Sequence, residues 1–383
     1  MARVVVIGAG IVGSACALFL ARDGHRVTVL DRAVPGAGTT SRGEGNILVS
    51  DKEAGPELEL ALWSSRLWRR LAEELGAAEL EWEAKGGLVV AADPATVIGL
   101  GELTARQRSA GVIVEDVAAQ DLHRLEPHLA EGLAGGAYYP QDQQVQPVRA
   151  AARLLWAARQ AGAVVSAGTA ATGLLTGFDG SVSGVGTDAG RLPAEVVVNA
   201  AGTWGGEVAA ALGGPVPVLP RRGFILVTAP LPPLIRHKVY SADYVANVAS
   251  GRAGLQTSVV VEGTQGGTVL IGASRERVGF DPRIDFEVVR LLAAQAIRLF
   301  PRLAGVDLLR VYRGFRPYCP DHLPVIGADP RVPGLYHACG HEGAGIGLAP
   351  ATGALIADRL AGRSSPVDPS PFAPDRFVSE GQR

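Results

Sequence analysis

The apolar positions in the first thirty residues alternate between strand-like and helix-like spacing. Arg3–Ile7 is a short apolar run typical of a buried strand, Ile11–Arg22 has its apolar residues at helical spacing, and Arg26–Leu30 is a second strand-like run. A strand, a helix and a strand in this order predict that the chain begins with a βαβ unit.

Helices and strands continue to alternate through the middle of the chain, which indicates mixed α/β structure. Pro56–Leu75 repeats leucine near one helical face and carries its charges elsewhere, so we predict an amphipathic surface helix. The same reasoning predicts helices at Ala95–Ala110 and Val148–Gln160. Strands are predicted at Gly87–Ala92, Gly111–Val114, Ala163–Ser166 and Glu195–Asn199.

The pattern changes after Pro220. Apolar residues then recur with period two between turn residues until about Ile271, which favours an antiparallel sheet. The strands of this sheet are predicted at Gly223–Thr228, Leu255–Val261 and Thr268–Ile271.

The C-terminal part returns to the first kind of pattern. Phe286–Leu299 is helical in spacing, and Leu335–Cys339 is a strand-like run followed by a glycine turn and a helical stretch that reaches Leu360. The chain is therefore expected to enter its first domain more than once.

Composition restricts the classes of protein that remain. The 383 residues carry 36 basic and 38 acidic side chains, a formal net charge of -2, so a nucleic-acid partner is not expected. Cys16, Cys319 and Cys339 are scattered, which favours neither disulfides nor a metal site and is typical of a reducing cytoplasm. No signal peptide or membrane span is recognised. The 50 glycines are the remaining feature, and their clusters direct the search for a site.

The first glycine cluster, Gly8-Ala9-Gly10-Ile11-Val12-Gly13, follows the first predicted strand and begins the first predicted helix, and Asp31 ends the second strand. In this arrangement Gly8 allows a tight turn, Gly10 lets backbone N–H groups approach a pyrophosphate, and Gly13 lets the helix lie close to the sheet. Asp31 would accept hydrogen bonds from the adenosine ribose. A bound dinucleotide is therefore expected, with NAD and FAD both open.

Four blocks in this order resemble the FAD-dependent amino-acid oxidoreductases of the D-amino-acid oxidase superfamily, which includes glycine oxidase, sarcosine oxidase and D-amino-acid dehydrogenase. The blocks are Gly8–Gly13 with Asp31, then Thr39–Arg42, then Val197–Trp204, and last the stretch from Arg316 through Pro324–Gly327 to Gly340–Gly347. The resemblance implies FAD as the cofactor. The residues that it assigns to FAD are Gly8, Ala9, Gly10, Ile11, Val12, Gly13, Asp31, Arg32, Thr40, Ser41, Arg42, Ala201, Gly202, Gly343, Gly345, Ile346 and Gly347.

Two further implications concern the flavin itself. Monomeric sarcosine oxidase carries its flavin on a cysteine at the position of Gly314, and Cys319 is offset from it, so the resemblance implies non-covalent FAD. His341–Gly347 precedes the last predicted helix, so its backbone N–H groups and the helix dipole would face the N1/C2=O edge of the flavin. Negative charge develops at that edge on reduction, and a positive potential would stabilise it.

The substrate residues also follow from the resemblance. Arg316 matches the arginine with which glycine oxidase and its relatives pair the substrate carboxylate, and a guanidinium fork would direct the substrate Cα–H at flavin N5. Arg313 is the local rival. Catalytic roles are predicted for Tyr244 and His341 as well, with core packing and backbone capping as the alternatives.

Other residues of these segments have two open interpretations. Tyr240 and Arg252 lie in the same antiparallel region as Tyr244 and either contact the substrate or pack in its surroundings. Arg221-Arg222-Gly223-Phe224 resembles the entry to the substrate domain and is expected to position it. Glu44 and Asn46 either orient the flavin-contacting turn or lie at the surface.

The resemblance implies an enzyme that oxidises the C–N bond of a small amino or imino acid, of the D-amino acid, glycine, sarcosine or D-hydroxyproline class, by hydride transfer to flavin N5. Gly340–Gly343 is more similar to flavin subunits of heteromeric dehydrogenases for D-hydroxyproline, opines and the cyanide-forming oxidation of glycine, because Glu342 stands where glycine oxidase has an arginine. The electron acceptor is therefore O2, or a partner subunit or quinone in a hetero-oligomer. An NAD-dependent dehydrogenase is disfavoured, since nothing else resembles a nicotinamide site.

Together, pattern and resemblance predict an α/β fold with a Rossmann-like FAD-binding domain and a discontinuous α+β substrate domain built on a mainly antiparallel sheet. The FAD-binding domain is expected to comprise residues 1–80, 145–215 and 312–383. The substrate-binding domain is expected to comprise residues 81–144 and 216–311.

Overall fold

The computed structural model of the chain describes residues 1–244 and 252–378, which form a mixed α/β fold. Its α-helices are α1 Ile11–Arg22, α2 Pro56–Leu75, α3 Ala77–Leu80, α4 Pro94–Ser109, α5 Leu122–Leu125, α6 Pro147–Gln160, α7 Gly205–Ala211, α8 Phe286–Leu299 and α9 Gly345–Ala361. Its strands are β1 Arg3–Ile7, β2 Arg26–Asp31, β3 Asn46–Ile47, β4 Gly87–Ala91, β5 Glu115–Ala118, β6 Gly135–Tyr139, β7 Gln143–Gln144, β8 Val164–Ala167, β9 Ala171–Thr176, β10 Val182–Thr187, β11 Gly190–Pro193, β12 Val196–Asn199, β13 Leu219–Thr228, β14 Lys238–Ser241, β15 Gln256–Gly263, β16 Val269–Arg275, β17 Leu308–Tyr318, β18 Val325–Ala328 and β19 Leu335–Cys339.

The first large sheet has six strands in the order β18-β19-β12-β1-β2-β8. All neighbours in it are parallel except β18 and β19. The predicted βαβ start is confirmed, since β1 and β2 are parallel neighbours joined by α1. β1 has β2 on one side and β12 on the other, so the strand order reverses there, and ligands of open α/β sheets bind outside the carboxyl ends of the strands at such a point.

Helices cover one face of this sheet and a small sheet covers the other. α1 packs against α6 and α9, and α9 also contacts α2. On the opposite face, β11, β10 and β9 form a three-stranded sheet whose Val182 and Val185 share a core with Val5, Ile7 and Val197. Of the helices in the described ranges, none is both long and apolar enough to cross a lipid bilayer.

The second large sheet has eight strands in the order β17-β13-β16-β15-β14-β4-β6-β5, with β14 and β4 as its parallel pair. The antiparallel sheet predicted after Pro220 is therefore confirmed in β13, β15 and β16. α8 packs on β13, β15 and β16. β17 pairs with β13 from Leu308 to Tyr318, so this sheet continues beyond residue 312, where the sequence predicts a domain boundary.

One predicted strand is wrong. Gly111–Val114 is not extended in a sheet, because Gly111 adopts φ 92° and ends α4, and the N–H of Val112 donates to the carbonyl of Gln107. The apolar side chains of Val112 and Val114 are buried without strand pairing. The chain joins the sheet only at β5, where Glu115 first faces Tyr138 of β6.

Candidate active site

A cavity of about 440 Å³ lies between the carboxyl edge of the six-stranded sheet and one face of the eight-stranded sheet. The turn between β1 and α1 and the end of β2 line it on one side, and Gly223, Ile225 and Gly314–Pro317 line it on the other. Segments of the chain that are far apart in sequence therefore meet at the switch point of the first sheet.

The turn between β1 and α1 requires glycine at two positions. Gly8 has φ 108°, and a Cβ there would overlap the carbonyl oxygen of Ala200 at the end of β12. A Cβ on Gly13 would overlap the carbonyl oxygen of Gly8. These contacts bring the N-terminus of α1 close to the sheet, where its N–H groups and dipole favour an anionic ligand.

The predicted FAD residues divide into those that line the cavity and those that support the lining. The first group contains Gly8, Gly10, Ile11, Val12, Asp31, Arg32, Thr40, Arg42, Ala201, Gly202, Gly343, Gly345 and Ile346. Ala9, Gly13, Ser41 and Gly347 lie behind this surface, so any contribution that they make to FAD binding is through the backbone turns that they form.

Asp31 lies at the carboxyl end of β2 and is held by the backbone. Its Oδ2 accepts a hydrogen bond from the N–H of Ala9 at 2.8 Å, and its Oδ1 accepts one from the N–H of Ala33 at 2.8 Å. Each carboxylate oxygen has a further lone pair that can accept a bond from a ligand hydroxyl. Arg32 is exposed, and its guanidinium lies 4.3 Å above the ring of Trp204.

The segment 37–46 links the two sheets. Thr40 Oγ1 accepts the N–H of Ile11 at 3.0 Å, and Thr39 Oγ1 donates to the carbonyl of Phe315 on β17 at 2.9 Å. The hydroxyl of Ser41 donates to carbonyls within its own turn, which is why Ser41 does not face the cavity. A Cβ on Gly314 would lie 2.6 Å from Cβ of Arg42, so glycine is needed where β17 passes this segment.

Glu44 is buried and Asn46 is half-buried, and both line the cavity, which fits a role at the flavin-contacting turn better than a surface position. Glu44 Oε2 accepts from Asn46 Nδ2 at 3.0 Å and lies 3.7 Å from Lys238 Nζ. Burial by itself lowers the pKa of Lys238, but the carboxylates of Glu262 and Glu44 outweigh it and raise that pKa above its ordinary value. Lys238 therefore stays charged, and the buried carboxylates of Glu262, 3.2 Å away, and Glu44 share it.

α9 begins at Gly345, directly after the cavity-lining residues Glu342 and Gly343. Its Gly345 and Ile346 line the cavity, so the N-terminus of a second helix faces the same space as that of α1. The arrangement agrees with the positive potential expected at this block. Gly347 instead lies against the backbone of Asn46 and Ile47.

His341 is buried and neutral. Burial lowers its pKa to about 3. Its Nε2 lies 2.9 Å from Thr352 Oγ1, and that hydroxyl donates to the carbonyl of Leu348. We therefore assign the ring proton to Nε2, which leaves Nδ1 as an acceptor.

Arg316 lines the cavity from β17. Its Nη1 donates to the carbonyl of Ser274 at 2.8 Å, and no carboxylate in the described part of the chain forms an ion pair with it. Burial, and then the charge of Arg275, lowers the pKa of Arg316 to about 10, so the group remains a cation at neutral pH. Arg313 is not among the described residues that line the cavity, which favours Arg316 over its rival.

The aromatic candidates of the antiparallel region separate clearly. Tyr244 is buried and lines the cavity. Tyr240 is fully buried in the core, and its hydroxyl bonds to Ser50 outside the lining. Arg252 is exposed. Core packing is thus the interpretation that fits Tyr240.

Sequence reasoning missed a charged group at the cavity. The carboxylate of Glu342 pairs with Arg221 and lies 3.0 Å from His322 Nδ1. Burial raises the pKa of Glu342, but His322 and Arg221 outweigh this and hold it below its ordinary value. The departure from the glycine oxidase pattern at Glu342 was the available signal for this group.

The adjacent arginines Arg221 and Arg222, for which the sequence predicted one shared positioning role, have different partners in the structure. Arg221 pairs with Glu342 and donates to Gln256 Oε1 at 2.8 Å, whereas Arg222 forms ion pairs with Glu276 and Asp281 on the other side of β13. Nothing in the sequence marked Arg275 as a candidate site residue, because it is brought near Arg316 by the strand register and not by its position in the chain.

The lining fits FAD. A glycine cradle at the N-terminus of α1 suits a pyrophosphate, since a Cβ at Gly8 would overlap the carbonyl of Ala200 and one at Gly10 would crowd Thr40. Asp31 lies where a ribose would follow, and the N-terminus of α9 faces the part of the cavity nearest to Arg316.

Comparison with known proteins agrees with this geometry. Residues 3–359 match the family DAO, described as FAD dependent oxidoreductase. Hydrogen cyanide synthase subunit HcnC of Pseudomonas aeruginosa is 30% identical over 98% of this chain and 96% of its own length. Glycine oxidase of Geobacillus kaustophilus is 30% identical over 98% of this chain and 97% of its own.

Solved structures show the same relationship. The crystal structure of that glycine oxidase superposes with a TM-score of 0.88 and 29% identity, covering 99% of both chains. Iminodiacetate oxidase from Chelativorans sp. BNC1 superposes with a TM-score of 0.84 and 28% identity, covering 97% of this chain and 99% of its own. The resemblance read from the four sequence blocks is confirmed, and with it an FAD-dependent amino-acid oxidase or dehydrogenase. The chain belongs to the DAO family of FAD-dependent oxidoreductases.

Proposed function

We propose that this flavoenzyme oxidises the C–N bond of a small amino or imino acid whose carboxylate is bound by Arg316. The observation that carries the proposal is a buried guanidinium at the cavity that forms no ion pair with a described residue. A buried cation without a counter-charge is costly, and a substrate carboxylate would supply that charge. Two N–H donors of the guanidinium would bind the two carboxylate oxygens and fix the substrate Cα in one orientation.

When bound, FAD supplies the acceptor for the hydride that leaves the substrate Cα. The chain contributes orientation and electrostatics: Arg316 holds the carboxylate, Tyr244 and Ile225 line the cavity and exclude water, and the N-termini of α1 and α9 stabilise negative charge. His341 is unsuited to remove the ammonium proton, because its pKa of about 3 makes it a weak base. Loss of that proton to solvent before the C–H bond breaks is sufficient.

The named relatives support the substrate class. Glycine oxidase and iminodiacetate oxidase act, by their names, on amines that carry a carboxylate on the carbon next to nitrogen. We extend this class to glycine, sarcosine, D-amino acids and D-hydroxyproline.

Anaerobic addition of these compounds to the FAD-loaded protein tests the proposal. At least one is expected to bleach the flavin absorbance, and the same addition to Arg316→Leu should leave the flavin oxidised at equal concentration. If none of the compounds bleaches the wild-type flavin, the proposal fails.

We infer as the second candidate that the chain is the flavin subunit of a hetero-oligomer and passes electrons to a partner or a quinone instead of O2. Its full-length similarity to HcnC, a subunit of hydrogen cyanide synthase, favours this role. Turnover of the isolated chain with stoichiometric peroxide release would contradict it, whereas reduction of an artificial dye without peroxide would support it. The three cysteines are free and buried, which supports the cytoplasm as the proposed location.

A further inference from the structure

A second buried arginine lies beside Arg316. Arg275, at the end of β16, is 3% exposed, and its Nη1 is buried with no hydrogen-bond partner. Among the described residues, no carboxylate forms an ion pair with it. A guanidinium left in this state in a folded protein is costly and calls for a partner.

Strand register and ring contacts place Arg275 directly behind Tyr244, which lines the cavity, whereas Arg275 itself is not among the described lining residues. It faces Gln256 across β15, and the side chain of Gln256 reaches Arg221 beside Glu342. The Arg275 guanidinium lies 4.6 Å from the ring centroid of Tyr244, which lines the cavity. Its charge is also the second-largest cause, after burial, of the lowered pKa of Arg316, so the two cations are close enough to repel each other.

The acids of the neighbourhood are already engaged by other cations. Glu342 pairs with Arg221, and Glu44 lies 3.7 Å from Lys238. Glu342 also attracts Arg275, and both Glu44 and Glu342 attract Arg316, but in the described residues neither acid forms an ion pair with these two guanidinium groups. One ionised carboxylate compensates only one of them.

We propose that Arg275 binds a second carboxylate of the substrate, so that the preferred substrate is a dicarboxylic amino or imino acid. The inference rests on the proposed function, in which Arg316 binds the carboxylate next to the carbon that is oxidised. Arg275 is then the residue that determines specificity, and Tyr244 packs against its guanidinium.

Binding of two unreactive acids of equal chain length tests this role without turnover. Succinate and butyrate differ by one carboxylate, and each can be titrated into the FAD-loaded protein while the flavin absorption spectrum is followed. Wild type is expected to bind succinate about tenfold or more tightly than butyrate. Arg275→Met should remove this preference by weakening succinate alone.

Two further variants complete the design. Arg310→Met removes an exposed arginine of β17 and is the matched control for the change in net charge, so both affinities should stay as in wild type. Arg275→Lys keeps the charge and should retain a reduced preference for succinate with normal FAD content. It replaces Arg275→Met in the comparison if the methionine variant fails to fold.

The inference is overturned if wild type binds the two acids equally. It is also overturned if Arg275→Met weakens both acids by the same factor, since the two arginines would then share one carboxylate. A preference for succinate with no amine able to bleach the flavin would contradict the proposed function alone. Bleaching by sarcosine and N-carboxymethylglycine at equal rates and affinities would contradict this inference alone.

Discussion

At the scale of the residue, ion pairing distinguishes two neighbouring arginines, of which Arg316 lines the cavity. Arg221 and Arg316 lie opposite each other on β13 and β17, yet Arg221 is paired with Glu342, whereas within residues 1–244 and 252–378 the side chain of Arg316 donates to a backbone carbonyl and forms no ion pair. A paired guanidinium holds structure together, whereas an unpaired one can receive an anionic ligand.

Replacing Arg316 by leucine should therefore abolish carboxylate binding and leave FAD in place. The loss is expected to be about 2–5 kcal/mol, or about 30-fold to several thousandfold in KM, because the substrate carboxylate would be buried without a partner. Steady-state kinetics and the flavin absorbance of the purified variant measure the two quantities. Arg313→Leu makes the same charge change on the same strand and should leave KM near the wild-type value. An Arg316→Leu enzyme with wild-type KM would remove Arg316 from the site.

Protonation of His341 should affect stability in acid. The unfolded side chain has a pKa of about 6.5 and the folded one about 3, so between these values the unfolded chain binds more protons. The contribution of neutral His341 to stability is complete above pH 6.5 and falls as the pH decreases toward 3. At pH 5 the loss is about 2 kcal/mol.

Urea denaturation of the FAD-saturated protein measures this effect. His341→Gln keeps a donor for Thr352 but cannot titrate, so the stability of wild type relative to this variant should fall by about 2 kcal/mol between about pH 8 and about pH 5. A difference that stays constant with pH would show that His341 is accessible to protons in the folded state.

At the scale of the element, the crossing of α1 and α9 determines where two helix N-termini meet the cavity. The helices approach closely because Gly353 of α9 lies over Ala15 of α1, and a Cβ there would be 2.8 Å from the Ala15 backbone. Neither helix can move away without moving its N-terminal turn relative to the FAD site.

Gly353→Ala should push the two helices apart. We expect a loss of about 1–3 kcal/mol in the free energy of unfolding, together with weaker FAD retention. Denaturant titration and the flavin-to-protein absorbance ratio are the measurements. Gly99→Ala in α4 is the matched control, since its Cβ would meet nothing within 4 Å, and it should raise stability by about 0.5–1 kcal/mol. Equal effects of the two substitutions would contradict the close helix crossing.

The pattern of apolar and polar residues was sufficient to predict the bounds of five helices and strands. β1, α1, α2, α8 and β19 have the predicted bounds. α2 and α8 each bury one apolar face, and β1, α1 and β19 are apolar runs buried over most of their length. The strand expected at Gly111–Val114 failed because burial of valines does not require sheet pairing, and pairing depends on β6, which lies later in the chain.

At the scale of the whole molecule, FAD would connect the two large sheets, and its attachment can be tested directly. Cys319 is buried and is not among the described residues that line the cavity. Gly314 stands where monomeric sarcosine oxidase has its flavin-bearing cysteine, and a Cβ there would lie 2.6 Å from Cβ of Arg42. We therefore expect acid precipitation to release all of the flavin into the supernatant, with Cys319→Ala retaining the FAD content of wild type. Flavin that remains with the precipitated protein would contradict non-covalent binding.

The sequence by itself determined the βαβ start and the glycine fingerprint with Asp31, because these depend on local spacing and on residue types that few other sites combine. Arg316 was singled out by the resemblance to the family and not by its local pattern. The domain boundaries stay a prediction, and the run of β17 past residue 312 leads us to propose a boundary after Tyr318.

Only the tertiary structure decided which charges are paired. Strand register and the packing of one sheet against another bring Glu342 to Arg221 and Glu44 to Lys238. They also place Arg275, which has no ion pair in the described part of the chain, next to Arg316. Such contacts join residues far apart in the chain, and no local pattern records them. The neighbours of an arginine in space therefore decide whether its guanidinium stabilises the fold or is available to bind an anionic substrate.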